Sequence, residues 1–171
     1  MRTFKTFFIA MVLSMGTMAL TQAQTSKTAH IASQELIEMM PAYKSAMTDL
    51  EQLQNTYKAS IDDMMKEMQS LAEKYDAEAP TKTDEENQNR AMELQQSKSK
   101  VVEFQQNAYK QLQQKEQELM KPIFEQARAS IQKVARAKGF DYVLDSTPGT
   151  GVILAEGYDL MPDVKKELGI K

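Results

Sequence analysis

Residues 42–79, AYKSAMTDLEQLQNTYKASIDDMMKEMQSLAEKYDAEA, decide the fold. Between Pro41 and Pro80 there is no glycine and no other proline. Apolar side chains stand at Tyr43, Met47, Leu50, Leu53, Tyr57, Ile61, Met64, Met68, Leu71 and Tyr75. The steps alternate between three and four and average about 3.5 residues, the period of a coiled-coil seam. Pro41 suits a first helical turn, where its missing N–H costs nothing. The stretch predicts one long helix of about 38 residues, roughly 57 Å at 1.5 Å per residue.

Moving outward, Ala79-Pro80-Thr81-Lys82-Thr83-Asp84 breaks the pattern. Thr83 or Asp84 can cap a second helix, with Glu85 and Glu86 in its first turn, where the helix dipole favours acids. That helix should reach about Lys138, where Gly139 supplies a stop. At about 55 residues, or roughly 80 Å, it outruns the first. The excess carries Ile123, Ala127, Ile131 and Val134, an apolar stripe that must pack on something. Pro122 opens this segment, should kink the helix there because it loses one backbone bond and crowds the preceding turn, and marks the junction of arm and base. The second seam reads as interrupted: Leu94, Val101, Ala108, Leu112 and Leu119 are apolar, with Lys98, Gln105 and Lys115 between them. Val102, Phe104 and Tyr109 fall off that narrow stripe. The arm therefore reads as soft toward its tip.

The two ends of the chain supply a small β element. Thr28–Ala32 is an extended candidate, and Ser33 is placed to cap a brief helix through Glu38. Residues 140–145 and 151–155 read as a β-hairpin around Thr147-Pro148-Gly149-Thr150, a type II turn sequence. Asp159 can cap a last helix through Leu168, which Gly169 ends. Strands this short are marginal alone, which points to association of several copies.

The N-terminus has the outline of a cleavable export signal. Residues 1–23 carry Arg2 and Lys5 ahead of an apolar run from Phe7 to Leu20, then Thr21-Gln22-Ala23, with cleavage expected after Ala23. The run falls short of the ~20 residues of a comfortable membrane span, so no span is expected after cleavage. The mature chain keeps 19 basic against 24 acidic residues, which gives no electrostatic reason for nucleic-acid binding. Cysteine is absent, so disulfides, thiol nucleophiles and Cys-ligated metals are excluded. With one histidine, His30, imidazole pairs are excluded too.

Signatures of chemistry are missing: no GxGxxG, P-loop, GxSxG or HExxH occurs. Asp62-Asp63 and Glu85-Glu86 are adjacent, so on helices their side chains diverge by about 100° and read as solvated faces. Pro148-Gly149-Thr150-Gly151 lacks the Lys-Ser/Thr of a phosphate cradle and reads as a turn. No enzyme, cofactor or metal is expected. The methionines at 39, 40, 47, 64, 65 and 68 invite a different reading. Met64 and Met68 fill the seam, whereas Met65 lies beside it, where a thioether adapts to varied apolar surfaces. Met65 and Phe104 are thus the candidate contacts to a client chain.

An export signal, a short strand, a long glycine-free hairpin, a β element and a last short helix, in that order, resemble the Skp/OmpH family of periplasmic chaperones. The resemblance is carried by Ile31-Ala32-Ser33-Gln34-Glu35 through Met40-Pro41, Ile131 to Val134, Gly139-Phe140-Asp141-Tyr142-Val143-Leu144-Asp145, and Asp159 to Leu168. It implies a homotrimer whose strands form a small barrel bearing three helical arms around a cavity. It also implies an ATP-independent periplasmic holdase for unfolded outer-membrane proteins, with the outer-membrane assembly machinery as a further partner. The expected fold is mainly α with a small β element. The divisions are an export signal at 1–23, a first part of the body at 24–41, an arm at 42–121 with its tip near 79–84, and the rest of the body at 122–171. Ile131, Val134, Val143, Leu144 and Ile153 are the expected trimer contacts.

One departure from the family stands out. Ala72 to Arg90 holds six acidic and three basic residues, so no lipopolysaccharide-binding residues carry over to this tip. Lys121, Arg128, Lys133, Arg136 and Lys138 concentrate near the base, either lining a cavity roof or balancing acidic neighbours. A structural spacer or adaptor of the cell envelope would also need export and a long coiled coil. It would call for well-filled seams.

Overall fold

The computed structural model describes residues 26–170; the export segment 1–23 lies outside the described residues. Strand β1 (Thr28–Ile31) leads into the short helix α1 (Ser33–Met39) and then α2 (Pro41–Glu78). A 3-10 turn (Ala79–Thr81) reverses the chain into α3 (Asp84–Ala137). Strand β2 (Tyr142–Asp145), strand β3 (Tyr158–Asp159) and helix α4 (Met161–Glu167) complete it. The protein is mainly helical with a small sheet.

Both long helices start where their sequences say they should. Pro41 occupies the first turn of α2. Of the two candidate caps for α3, Thr83 is the one used, in a reciprocal capping box. The Glu86 N–H donates to Thr83 Oγ1 at 3.2 Å, and the Thr83 N–H donates to Glu86 Oε2 at 2.9 Å. Two orphan amides are satisfied at once. Helix α3 continues as one helix through Pro122 and ends at Gly139, whose φ of 74° is the left-handed value of a helix stop.

The β element differs from the hairpin expected at 140–145 and 151–155. β1 lies in the middle of an open three-stranded sheet of order β2-β1-β3, parallel to both neighbours. The register pairs Thr28 with Tyr142 and Ile31 with Asp145 on one side, and His30 with Asp159 on the other. Residues 151–155 form no strand. The expected turn does exist: Gly149 has φ 92° and the Thr150 N–H donates to Thr147 O at 3.1 Å. A second positive φ of 94° at Gly151 then steers the chain away from β2, whose inner edge β1 already occupies. Within one chain the sheet is not closed into a barrel.

The core sits under this sheet. Ala29 and Ile31 from β1, Leu36 and Ile37 from α1, Ile123, Ala127 and Val134 from α3, and Leu160 and Val164 form one buried cluster. Leu36, Leu160 and Val164 are wholly sealed from solvent. Three residues of the predicted stripe, Ile123, Ala127 and Val134, are therefore covered by the chain's own strands and short helices, and Ile131 is half-buried beside them.

Ser33 does not cap α1. It is the first helical residue, and the capping comes from 112 residues away. The Ser33 N–H donates to Asp145 Oδ1 at 3.2 Å, the Ser33 hydroxyl donates to Asp145 Oδ2, and the Gln34 N–H donates to Thr147 Oγ1 at 3.2 Å. Asp145 also accepts from the Thr147 N–H at 3.0 Å. Desolvation is the largest influence on this carboxyl and pushes its pKa up. The bonds from Ser33 and Thr147 together outweigh it and bring the value down to about 2. Asp145 thus pins the end of β2 to the start of α1.

Candidate functional site

The arm is an antiparallel pair of helices whose seam is defined by cross-contacts. Tyr57 packs edge-on against Phe104, with ring centroids 6.1 Å apart, and its hydroxyl donates to Gln111 Oε1 at 2.6 Å. Nearer the tip, Arg90 lies over the Tyr75 ring at 4.6 Å and pairs with Glu78. The Tyr75 hydroxyl donates to Glu93, which raises the Tyr75 pKa. Asn87 Nδ2 donates to Ala79 O at 3.1 Å, closing the turn. A dense polar and cation–π cluster therefore holds the tip, where an apolar seam would have done so in a simple coiled coil.

These contacts correct the seam of α3. The residues that face α2 are Leu94, Ser97, Val101, Phe104, Ala108, Leu112 and Lys115, whereas Lys98 and Gln105 are exposed. Phe104 is a seam residue against Tyr57, not an off-stripe side chain. Most seam residues remain only half-buried because two helices cannot enclose a core between them; Ala46, Val101 and Ala108 are the fully buried exceptions.

Beside the seam the arm carries uncovered apolar side chains. Met65 is 42% exposed, as its sequence position suggests, and Met47, Met92, Val102 and Tyr109 are exposed as well. Sequence reading singled out Met65 and Phe104, and Phe104 is turned into the seam against Tyr57 instead. Met47, Val102 and Tyr109 carry the same signal, a large apolar residue next to a seam position, whereas Met92 lies on the face of α3 away from α2.

At the base the arm opens onto a groove of about 1390 Å³. Met120, Phe124 and Ile131 of α3 form one wall, and Ile37, Phe140 and Val143 form the other. Lys121, Arg128 and Arg136 line it too, together with Glu116, Glu125 and Asp141. The basic residues of the base thus divide. Lys133 pairs with Glu167 at 2.5 Å, and Lys138 meets Asp163 at 3.0 Å and Tyr158 Oη at 2.9 Å. Hydrogen bonding to Tyr158 and then to Asp163 holds Lys138 above its usual range.

The other predicted body residues fall in three environments. Val134 lies in the chain's own core, Ile131 and Val143 are half-buried at the groove, and Leu144 is exposed on the far face of the sheet beside Tyr142. Ile153 is fully exposed, and Leu154 next to it is 73% exposed. His30 has an ordinary role, with Nδ1 3.2 Å from Ser146 Oγ. Among the described residues no group of three or more His, Asp or Glu could hold a metal ion, and no helix is long and apolar enough to cross a membrane.

Comparisons with known proteins agree with this architecture. The family model of OmpH-like outer membrane proteins matches residues 27–168. A crystal structure from Caulobacter crescentus CB15, described as an outer membrane chaperone (OmpH-like), superposes with a TM-score of 0.75 at 19% identity, covering 84% of this chain and 83% of that one. No curated protein matches the sequence.

Proposed function

The chain belongs to the family of OmpH-like outer membrane proteins, and from that premise we propose that it is an ATP-independent holdase chaperone. It acts in the periplasm after removal of residues 1–23, holding unfolded outer-membrane β-barrel proteins between its arms until they are delivered to the outer-membrane assembly machinery. One observation carries this reading. A long arm leaves its large apolar side chains uncovered while a compact body alone has a sealed core. Clients must be held without being folded, so contacts should be weak and numerous, and no deep pocket or catalytic centre is required.

The holding unit is a homotrimer. In a single chain Ile153, Leu154, Tyr142 and Leu144 lie bare, and an open sheet edge at β2 accompanies them. Such a patch around an unpaired strand is an association surface. Val143 and Ile131 at the groove complete it.

The test is suppression of aggregation when a urea-denatured outer-membrane β-barrel is diluted into buffer without nucleotide or metal. The cross-contacts place residue 60 level with about residue 106, so deleting 60–105 shortens both helices to about the same level. The deleted protein should keep its trimeric body and lose protection. Equal protection by the deleted and intact forms would refute holding by the arms.

A further inference from the structure

Cysteine is absent, so methionine carries all of the sulfur in this chain. The methionines differ in environment. Met40 is sealed at 2% exposure, Met47, Met65 and Met92 are open to water, and Met64 and Met68 are half-buried in the seam of the arm. That last pair stands where the arm has least else to hold it. Its helices are clamped at two levels, by Tyr57 with Phe104 and Gln111, and by the tip cluster that begins at Tyr75. From Tyr57 to Tyr75 is about five turns of α2. Between those levels the side chains bond only within their own helix, and among the described residues no hydrogen bond or ion pair crosses from one helix to the other. Apolar contact alone remains. Ile61, Met64, Met68 and Leu71 supply it from α2, and Leu94 and Val101 from α3, with Ser97 between them.

We infer that Met64 and Met68 form an oxidative modification site: peroxide converts their thioethers to sulfoxides and opens the arm between its two clamps. In this step the sulfur gives an electron pair to one peroxide oxygen, so an S–O bond forms as the O–O bond breaks. The departing hydroxide takes the remaining hydroxyl proton and leaves as water; the sulfur is oxidised by two electrons and the peroxide reduced by two. The sulfoxide is polar and sets an acceptor oxygen in the seam. An acceptor that finds no donor in such a place is costly. Ser97 has one hydroxyl proton and can satisfy one sulfoxide, not two. Two of the four apolar side chains that α2 brings to this stretch are thus lost to it together. Helices in proteins owe most of their order to packing, so both should loosen there. Neither clamp contains sulfur, and tip and body stay closed. Met65 is the built-in control: it neighbours Met64 in sequence, is 42% exposed, and reacts without touching the seam.

The test treats the full chain with hydrogen peroxide and follows the gain of oxygen at each methionine by peptide mass spectrometry. Once Met64 and Met68 have reacted, amide exchange at 61–71 and 94–104 should quicken about tenfold, with 84–90 and 123–145 unchanged. Met64→Leu with Met68→Leu conserves volume and should keep the seam while abolishing this response, although Met47, Met65 and Met92 still gain oxygen. Met47→Leu, Met65→Leu and Met92→Leu together should leave the response intact. If Met64 and Met68 stay unoxidised after the three exposed methionines have reacted fully, the site is overturned. Unchanged exchange after both have reacted, or a response that survives Met64→Leu with Met68→Leu, would overturn the opening of the arm. The holdase reading stands or falls separately, on suppression of aggregation by the untreated chain.

Discussion

Arm and body are built from different kinds of contact. In the body, residues 112 to 116 positions apart meet directly: Ser33 with Asp145, Lys27 with Asp141, His30 with Ser146. Leu36, Leu160 and Val164 are removed from water altogether. In the arm, two helices share a seam that stays mostly half-buried along its length, closed at the tip by Arg90, Tyr75, Glu78 and Asn87. The body is consequently able to hold a fixed shape, while the arm holds its helices together and leaves apolar groups for something else. Stability and availability are assigned to separate ends of one molecule.

The comparison can be broken most severely from within the body. Leu160→Ala removes a sealed side chain that closes the core beneath β1, and should cost about 3 kcal/mol in thermal or urea unfolding. Val101→Ala at the arm seam should cost roughly half as much, since two helices enclose their core less completely. Equal losses would mean that arm and body are one cooperative unit.

Assembly tests the bare patch. Ile153→Asp changes a side chain that touches nothing in its own chain, so the single chain should remain folded. By analytical ultracentrifugation the wild type should sediment as a trimer and Ile153→Asp as a monomer. A wild-type monomer at micromolar concentration would remove the trimer from the proposal.

Acid sharpens the contrast further, because Asp145 belongs to the body alone. Its folded pKa of about 2 lies below its ordinary 3.8, so its contribution is present above pH ~4 and is lost as pH falls toward 2. The carboxyl is partly open to solvent, and after screening the contribution is about 1 kcal/mol. Asp145→Asn should lower stability at pH 7 by that amount and flatten the loss between pH 4 and 2. The smallest effect is at the tip. Thr83→Ala removes the cap of α3 and should cost about 1 kcal/mol or less, seen as faster amide exchange confined to the first turns of α3. Against that background, amides at 123–145 should exchange more slowly than those at 84–110. Uniform protection along the whole hairpin would instead favour the rigid spacer.

Much of this was legible because it is written locally. The alternating three- and four-residue steps from Tyr43 to Tyr75, the cap before Asp84 and the glycine after Lys138 mark both long helices within a residue or two. The seam of α3 was not, for an instructive reason. Leu94, Val101 and Ala108 repeat every seven residues and fit two registers, one continued by Ser97, Phe104 and Gln111 and the other by Lys98, Gln105 and Leu112. Both registers are mostly polar. Only the partner decides: Tyr57 takes Phe104, and beyond Ala108 the seam passes to Leu112. The sheet was missed for the same reason on a larger scale. Residues 140–145 and 151–155 look like hairpin partners because they are close in sequence, but the better partner for β2 is β1, and nothing near either strand announces it.

The central place of β1 has a consequence for how the chain reaches this state. Its two partners lie more than a hundred residues downstream, and the sheet cannot begin until the last quarter of the polypeptide is present. Closing a flexible loop of about 110 residues costs about 3 kcal/mol more than closing one of five. The hairpin removes most of that difference. Once α2 and α3 pair from the turn at Ala79–Thr81 downward, Pro41 and Pro122 are delivered side by side and only short connections remain to be ordered. In folding, then, the arm is a zipper: it nucleates at the tip, runs toward the base, and brings the two ends of the chain together before the strand between them has anything to pair with.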